Sequence, residues 1–71
     1  MNTPQIEIQV NGDFRSVSSG STLTALVALM GLEGRRIAIE RNQEIVPRSQ
    51  HADTRVHAGD VIEIVQAIGG G

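Results

Sequence analysis

Ile6, Ile8 and Val10 alternate with Gln5, Glu7 and Gln9, the two-residue period of a strand with one buried face. Asn11-Gly12 follows directly, and this pair suits the left-handed positions of a type I′ hairpin turn. Phe14 and Val17 lie on the return, so the chain is predicted to open with a β-hairpin. The polar run Ser18-Ser19-Gly20-Ser21 reads as a loop, and the whole Ser16 to Ser21 cluster is assigned to it. Thr22 then stands as a helix N-cap. Leu23, Leu26, Val27 and Met30 fall at i, i+3, i+4 and i+7, one apolar stripe along a helix of about two and a half turns. Gly31 supplies the left-handed residue that ends it, and Leu32 folds back onto the last turn.

Ile37-Ala38-Ile39 begins a third strand, Asn42-Gln43 makes a turn, and Ile45-Val46 forms a short fourth strand that Pro47 stops. Residues 49–58 read as irregular, with one helical turn around Ser49 to Asp53. After the turn at Ala58-Gly59-Asp60, the β-branched run from Val61 to Ala67 is dense enough to be the central strand. A hairpin, a crossover helix and a last strand beside the first make the β-grasp plan: an α+β fold whose mixed sheet of four to five strands carries one main helix on one face. The expected organisation is one domain over residues 1–67 with a glycine tail over 68–71.

Composition narrows the chemistry. Seventy-one residues give a single thin core. The absence of cysteine removes disulfides, thiolate metal ligands and thiol nucleophiles together. Phe14 is the one aromatic residue available to the core, so Ile, Val and Leu must fill it. Six arginines against eight acidic residues leave a net charge of −2, which argues against nucleic acid. Without Tyr or Trp there is no stacking platform for bases. The start, Met1 to Gln5, lacks the basic and apolar regions of a signal peptide, and the longest apolar run, Ala25 to Met30, is far too short for a membrane. The expectation is a cytoplasmic protein with no membrane and no nucleic-acid partner.

Candidate chemistry concentrates at the end of the chain. Gly69-Gly70-Gly71 follows a strong strand with no polar spacer. Consecutive glycines lose the most backbone entropy on ordering, so they are expected to be mobile. Four residues beyond Ala67 reach roughly 13–14 Å when extended. Lacking side chains, the glycines would thread a channel barely wider than a backbone. A terminal carboxyl, with a pKa of about 3.3–3.7, is an anion at neutral pH and a poor electrophile. Activation to a mixed anhydride with ATP would make it reactive. No nucleotide-binding loop occurs in the chain, so the activating enzyme is expected to be a partner, with no cofactor bound here. There is no lysine to offer a Schiff-base amine or accept an isopeptide bond.

Three stretches carry a family resemblance: Ala38 to Arg48, with its Asn…Val-Pro-Arg segment; Gly59 to Val65, opening on Gly-Asp; and Ala67-Ile68-Gly69-Gly70-Gly71. Together they resemble the ThiS family of thiamine-pathway sulfur carriers, which is ubiquitin-like. The Gly-Asp turn and glycine end also look like the wider ubiquitin-like group, so the middle segment is the specific part. The resemblance implies that an E1-like adenylyltransferase activates the Gly71 carboxylate with ATP. It further implies that a sulfurtransferase or persulfide relay converts it to a thiocarboxylate, and that thiazole synthase takes the sulfur. Gly71 is then the modified residue, Gly69 and Gly70 the narrow approach, and the protein itself no enzyme. Two departures stand out. Ala25 sits where an acidic capping-box partner is common, and His51 where tryptophan is common.

Around the tail, Val65 is expected to point outward if Ile62 and Ile64 point inward, giving a docking patch with Ala67 and Ile68. His51 and His57, near Asp53 and Asp60, fit no standard metal spacing and read as surface or loop residues. Arg35-Arg36 reads as a solvated strand entry that could steer an acidic partner, and Arg48 either orders its loop or meets a partner. Two other carboxylate-activated classes share the tail: the small subunit of molybdopterin synthase and an isopeptide-forming protein modifier. Val65-Gln66-Ala67 shows neither the aromatic nor the proline residue usual before the glycines of the former.

Overall fold

A computed structural model describes residues 3–67; Ile68, Gly69, Gly70 and Gly71 therefore lie outside the described residues, and with them the proposed tail. Strands β1 (Gln5–Val10) and β2 (Asp13–Ser18) form the opening hairpin. Asn11 at φ 51° and Gly12 at φ 88° supply the two left-handed turn residues, as the Asn-Gly pair requires. Helix α1 (Leu23–Leu29) crosses over to β3 (Ile37–Arg41) and β4 (Glu44–Val46). A 3₁₀ turn (Arg48–Gln50) and an irregular segment then lead into β5 (Val61–Gln66). The five strands form one mixed sheet in the order β2-β1-β5-β3-β4. β5 is central, parallel to β1 and antiparallel to β3.

The core lies between α1 and one face of the sheet. Leu23, Leu26 and Val27 of the helix meet Ile8, Val10, Val17, Ile39, Ile62 and Ile64 of the strands. Replacing Leu26, which is 1% exposed, by alanine is expected to cost about 2–5 kcal/mol, read by denaturant unfolding.

Both helix ends are capped. Thr22 Oγ1 accepts the Ala25 N–H at 3.1 Å, while the Leu23 and Thr24 N–H groups donate to the carbonyls of Thr54 and His51. Loop carbonyls thus take the first two helical N–H groups, whose partners lie outside the helix. At the other end, the N–H of Leu32 donates to Val27 O and that of Gly31, at φ 73°, to Ala28 O, the paired bonds of a Schellman cap. This cap takes Met30 as its first non-helical residue, so the helix has seven residues, about two turns rather than two and a half.

Three other expectations are corrected. Phe14 is 70% exposed rather than core, because the two-residue turn pairs it with Gln9, on the sheet face away from the helix. Val17, of opposite parity, takes the buried place. Ser16 and Ser18 belong to β2 rather than to a loop, since they pair with Glu7 and Gln5 of β1. His51 is a loop residue but no surface one: it is 7% exposed, and its Nε2–H donates to Val46 O at 2.9 Å. Val56, 2% exposed, is a core residue standing alone in a polar segment; its N–H donates to Ser21 O and anchors that segment beside the helix start.

Candidate functional site

The site is built on β5, because this strand carries the chain toward its glycine end. Its β-branched residues alternate as predicted: Ile62 and Ile64 are buried, whereas Val61, Glu63 and Val65 face away from the helix. Pairing continues to the last described residue, where the N–H of Ala67 donates to Arg36 O at 2.9 Å.

Two asparagines, each in a hairpin turn, hold β5 from opposite edges. Asn11 prolongs the β1 ladder with its side chain: Oδ1 accepts the Ile64 N–H at 2.8 Å and Nδ2 donates to Ile64 O at 3.2 Å. Across the strand, Asn42 Oδ1 accepts the Val61 N–H at 2.9 Å and its Nδ2 donates to Asp60 Oδ1 at 3.1 Å. Asp60, 8% exposed, also accepts the His57 N–H at 2.8 Å, and Arg41 Nη1 lies 3.6 Å from its Oδ2. Its buried charge is thereby matched on every side by donors and a cation. Asn11, Asn42 and Asp60 were legible only as turn residues; an asparagine in each tight turn flanking a central strand was the available signal.

On the outward face Val65, 62% exposed, lies opposite Ala38, and Glu63 opposite Glu40, which in turn faces Ile45, itself 65% exposed. Val61 and Phe14 flank Gln9 on the same face. Exposed apolar side chains on this face are thus spread along β5, with Val65 near the root of the tail, Ile45 at mid-strand and Val61 with Phe14 at the far end. Val65 and Ala67 are both exposed, and Ile68 lies outside the described residues. His51 and His57 are not brought together with Asp53 and Asp60 as ligands. Among the described residues no three His, Cys, Asp or Glu side chains converge, and no helix is long and apolar enough to cross a membrane. Arg35 and Arg36 are exposed at the start of β3, as expected for a solvated entry.

The ThiS family model matches residues 8–71. The sulfur carrier protein ThiS of Bacillus subtilis is 35% identical over 65 residues, which cover 90% of this chain and 98% of that protein. A thiazole synthase of Paramagnetospirillum magneticum is 44% identical over 66 residues, covering 93% of this chain but 20% of that one. A second, from Magnetococcus marinus, is 33% identical with the same coverage, so the chain spans about a fifth of the length of these two relatives. Among solved structures, a thiamine biosynthesis protein (ThiS) from Geobacter metallireducens aligns with a TM-score of 0.80 at 26% identity, over 93% of this chain and all of that one.

Proposed function

The chain belongs to the ThiS family, with its ubiquitin-like β-grasp fold, and from that membership we propose that it works through the carboxylate of Gly71 as a thiocarboxylate-forming sulfur carrier. A sulfur carrier of thiamine biosynthesis is the coarse assignment; the chemistry below is the finer reading. The observation that carries it is the placement of β5: a central strand, gripped on both edges, that delivers the chain to its glycine segment past an exposed Val65.

In this reading a carboxylate oxygen of Gly71 attacks the α-phosphate of ATP on an E1-like adenylyltransferase, and pyrophosphate leaves. The acyl adenylate exposes a carbonyl whose leaving group, AMP, a persulfide sulfur displaces. A second thiol of the sulfurtransferase relay opens the resulting acyl disulfide and frees the thiocarboxylate. Thiazole synthase then draws the sulfur from it. This chain contributes no acid, base or bound cofactor to these steps. Its work is presentation, as a co-substrate: a rigid strand places a side-chain-free segment where a narrow site can take it.

Val65, Ala38, Ala67 and Ile68 serve as the docking patch for the activating enzyme. Replacing Val65 by aspartate places an unpaired charge in that contact and is expected to weaken binding. Because Val65 lies outside the core, the fold survives the change. The check is ATP-dependent pyrophosphate exchange against carrier concentration: half-saturation should rise while the maximal rate holds. An unchanged half-saturating concentration would remove Val65 from the docking patch, and no exchange by the parent protein would contradict the carrier reading.

A further inference from the structure

A second surface lies on the helix side of the tail root. The C-terminal half of α1, the turn after it and the 3₁₀ turn enclose an open cleft of about 210 Å³. Its walls are apolar: Val27 and Ala28 from the helix, Leu32 from the cap and Ile37 from the start of β3. His51 closes the inner end; its Nε2–H is engaged with Val46 O, so the ring stands as part of the wall.

The rim is basic. Arg35 and Arg48 both line the cleft and are exposed, and neither makes an ion pair among the described residues. Glu33 is the one acidic group lining it. In a chain of net charge −2, this local positive excess runs against the overall sign. Position matters too. Ile37 pairs with Gln66, and the adjacent Arg36 carbonyl holds the Ala67 N–H, so the cleft adjoins the point where the tail departs. An enzyme that swallows the tail must bring its surface against this end of the domain.

We propose that the cleft is a docking site for thiazole synthase, taking from it a segment that presents a carboxylate beside an apolar side chain. The carboxylate meets Arg35 and Arg48, and the apolar group enters between Val27, Leu32 and Ile37. Charge complementarity fixes the sign of the partner's residue. Two thiazole synthases that contain a segment like this chain make the synthase the occupant. The inference rests on the sulfur-carrier reading. It also gives Arg48, which follows Pro47 in the family-like segment, a role outside the fold.

The test is titration of isotopically labelled carrier with its cognate thiazole synthase, followed by amide chemical shifts. Perturbations are expected at Thr24, Ala28, Gly34, Arg35 and Arg48. The double substitution Arg35→Glu with Arg48→Glu should raise Kd by about tenfold or more, and added salt should weaken parent binding far more than variant binding. Ala28→Trp, which fills the cleft from an exposed helix position, should do the same without a charge change. Unchanged Tm values would show that the variants stay folded. A Kd within about twofold of the parent in both variants, or perturbations confined to Val61, Glu63 and Val65, would overturn the inference. Parent protein that fails to bind the synthase would overturn it as well. Sulfur loading of the parent, measured separately by mass, tells whether the carrier reading itself stands.

Discussion

Deleting Gly70 and Gly71 is expected to abolish adenylation by the activating enzyme while leaving the fold intact. Among the described residues every buried member of the core, from Ile8 to Ile64, lies before the last residue of β5. The two asparagine clamps act on Val61 and Ile64, and the final backbone bond described is made by Ala67. Nothing among these contacts calls on the last two residues, so Tm should be unchanged. The reacting carboxyl, by contrast, would be drawn back by roughly 7 Å of extended chain. Displacements of about 1 Å already cost on the order of a hundredfold in rate, so a loss to background is the expected result. It would be measured as ATP-dependent AMP formation, with Tm taken on the same sample. A deletion variant that kept its AMP formation would place the chemistry elsewhere, and one that unfolded would make the glycines part of the domain.

The second large effect concerns the identity of the last residue. Gly71→Ala is expected to bind the activating enzyme nearly as well as the parent but react on the order of a hundredfold more slowly. The proposed docking patch around Val65 and the paired Ala38 is untouched, so most of the binding energy is expected to survive. The added methyl group sits on the carbon next to the carboxylate that must attack the α-phosphate of ATP, in a channel that this reading takes to be shaped for bare backbone. Pyrophosphate exchange against carrier concentration separates the two terms: the maximal rate should fall and half-saturation should hold. A variant that raised only the half-saturating concentration would contradict the narrow-channel argument.

Local signals made much of the fold legible. The alternation in β1, the Asn-Gly pair, the helix stripe with its Thr22 cap and Gly31 stop, and the β-branched run of β5 each act within a few residues. The structure places each of them, with the helix half a turn shorter than read and β5 ending at Gln66. Phe14 escaped for a local reason, and the rest depended on partners distant in sequence. Phe14 looked like core by composition, but the register of a two-residue turn put it on the open face. Val56 carried no periodicity, standing alone among polar residues, yet it completes the core. His51 was buried by the return of its segment over the helix start.

The candidate site divides along the same line. That Val65 points outward followed from two-residue parity alone. The grip of Asn11 on Ile64 spans 53 residues and that of Asn42 on Val61 spans 19, so neither side chain announced its partner. The basic cleft is likewise assembled from the helix, its cap, β3 and the 3₁₀ turn, which only the fold brings together. Arg48 was visible in a family-like segment, but its neighbours were not.

The central claim is that Gly71 carries sulfur. Intact-mass analysis of the protein isolated from its native cells, grown without thiamine, tests it most directly. The account predicts a second species heavier by the difference between one sulfur and one oxygen atom, with fragmentation placing the difference on Gly71. A single unmodified species under that demand, or a mass increase located anywhere but Gly71, would contradict it.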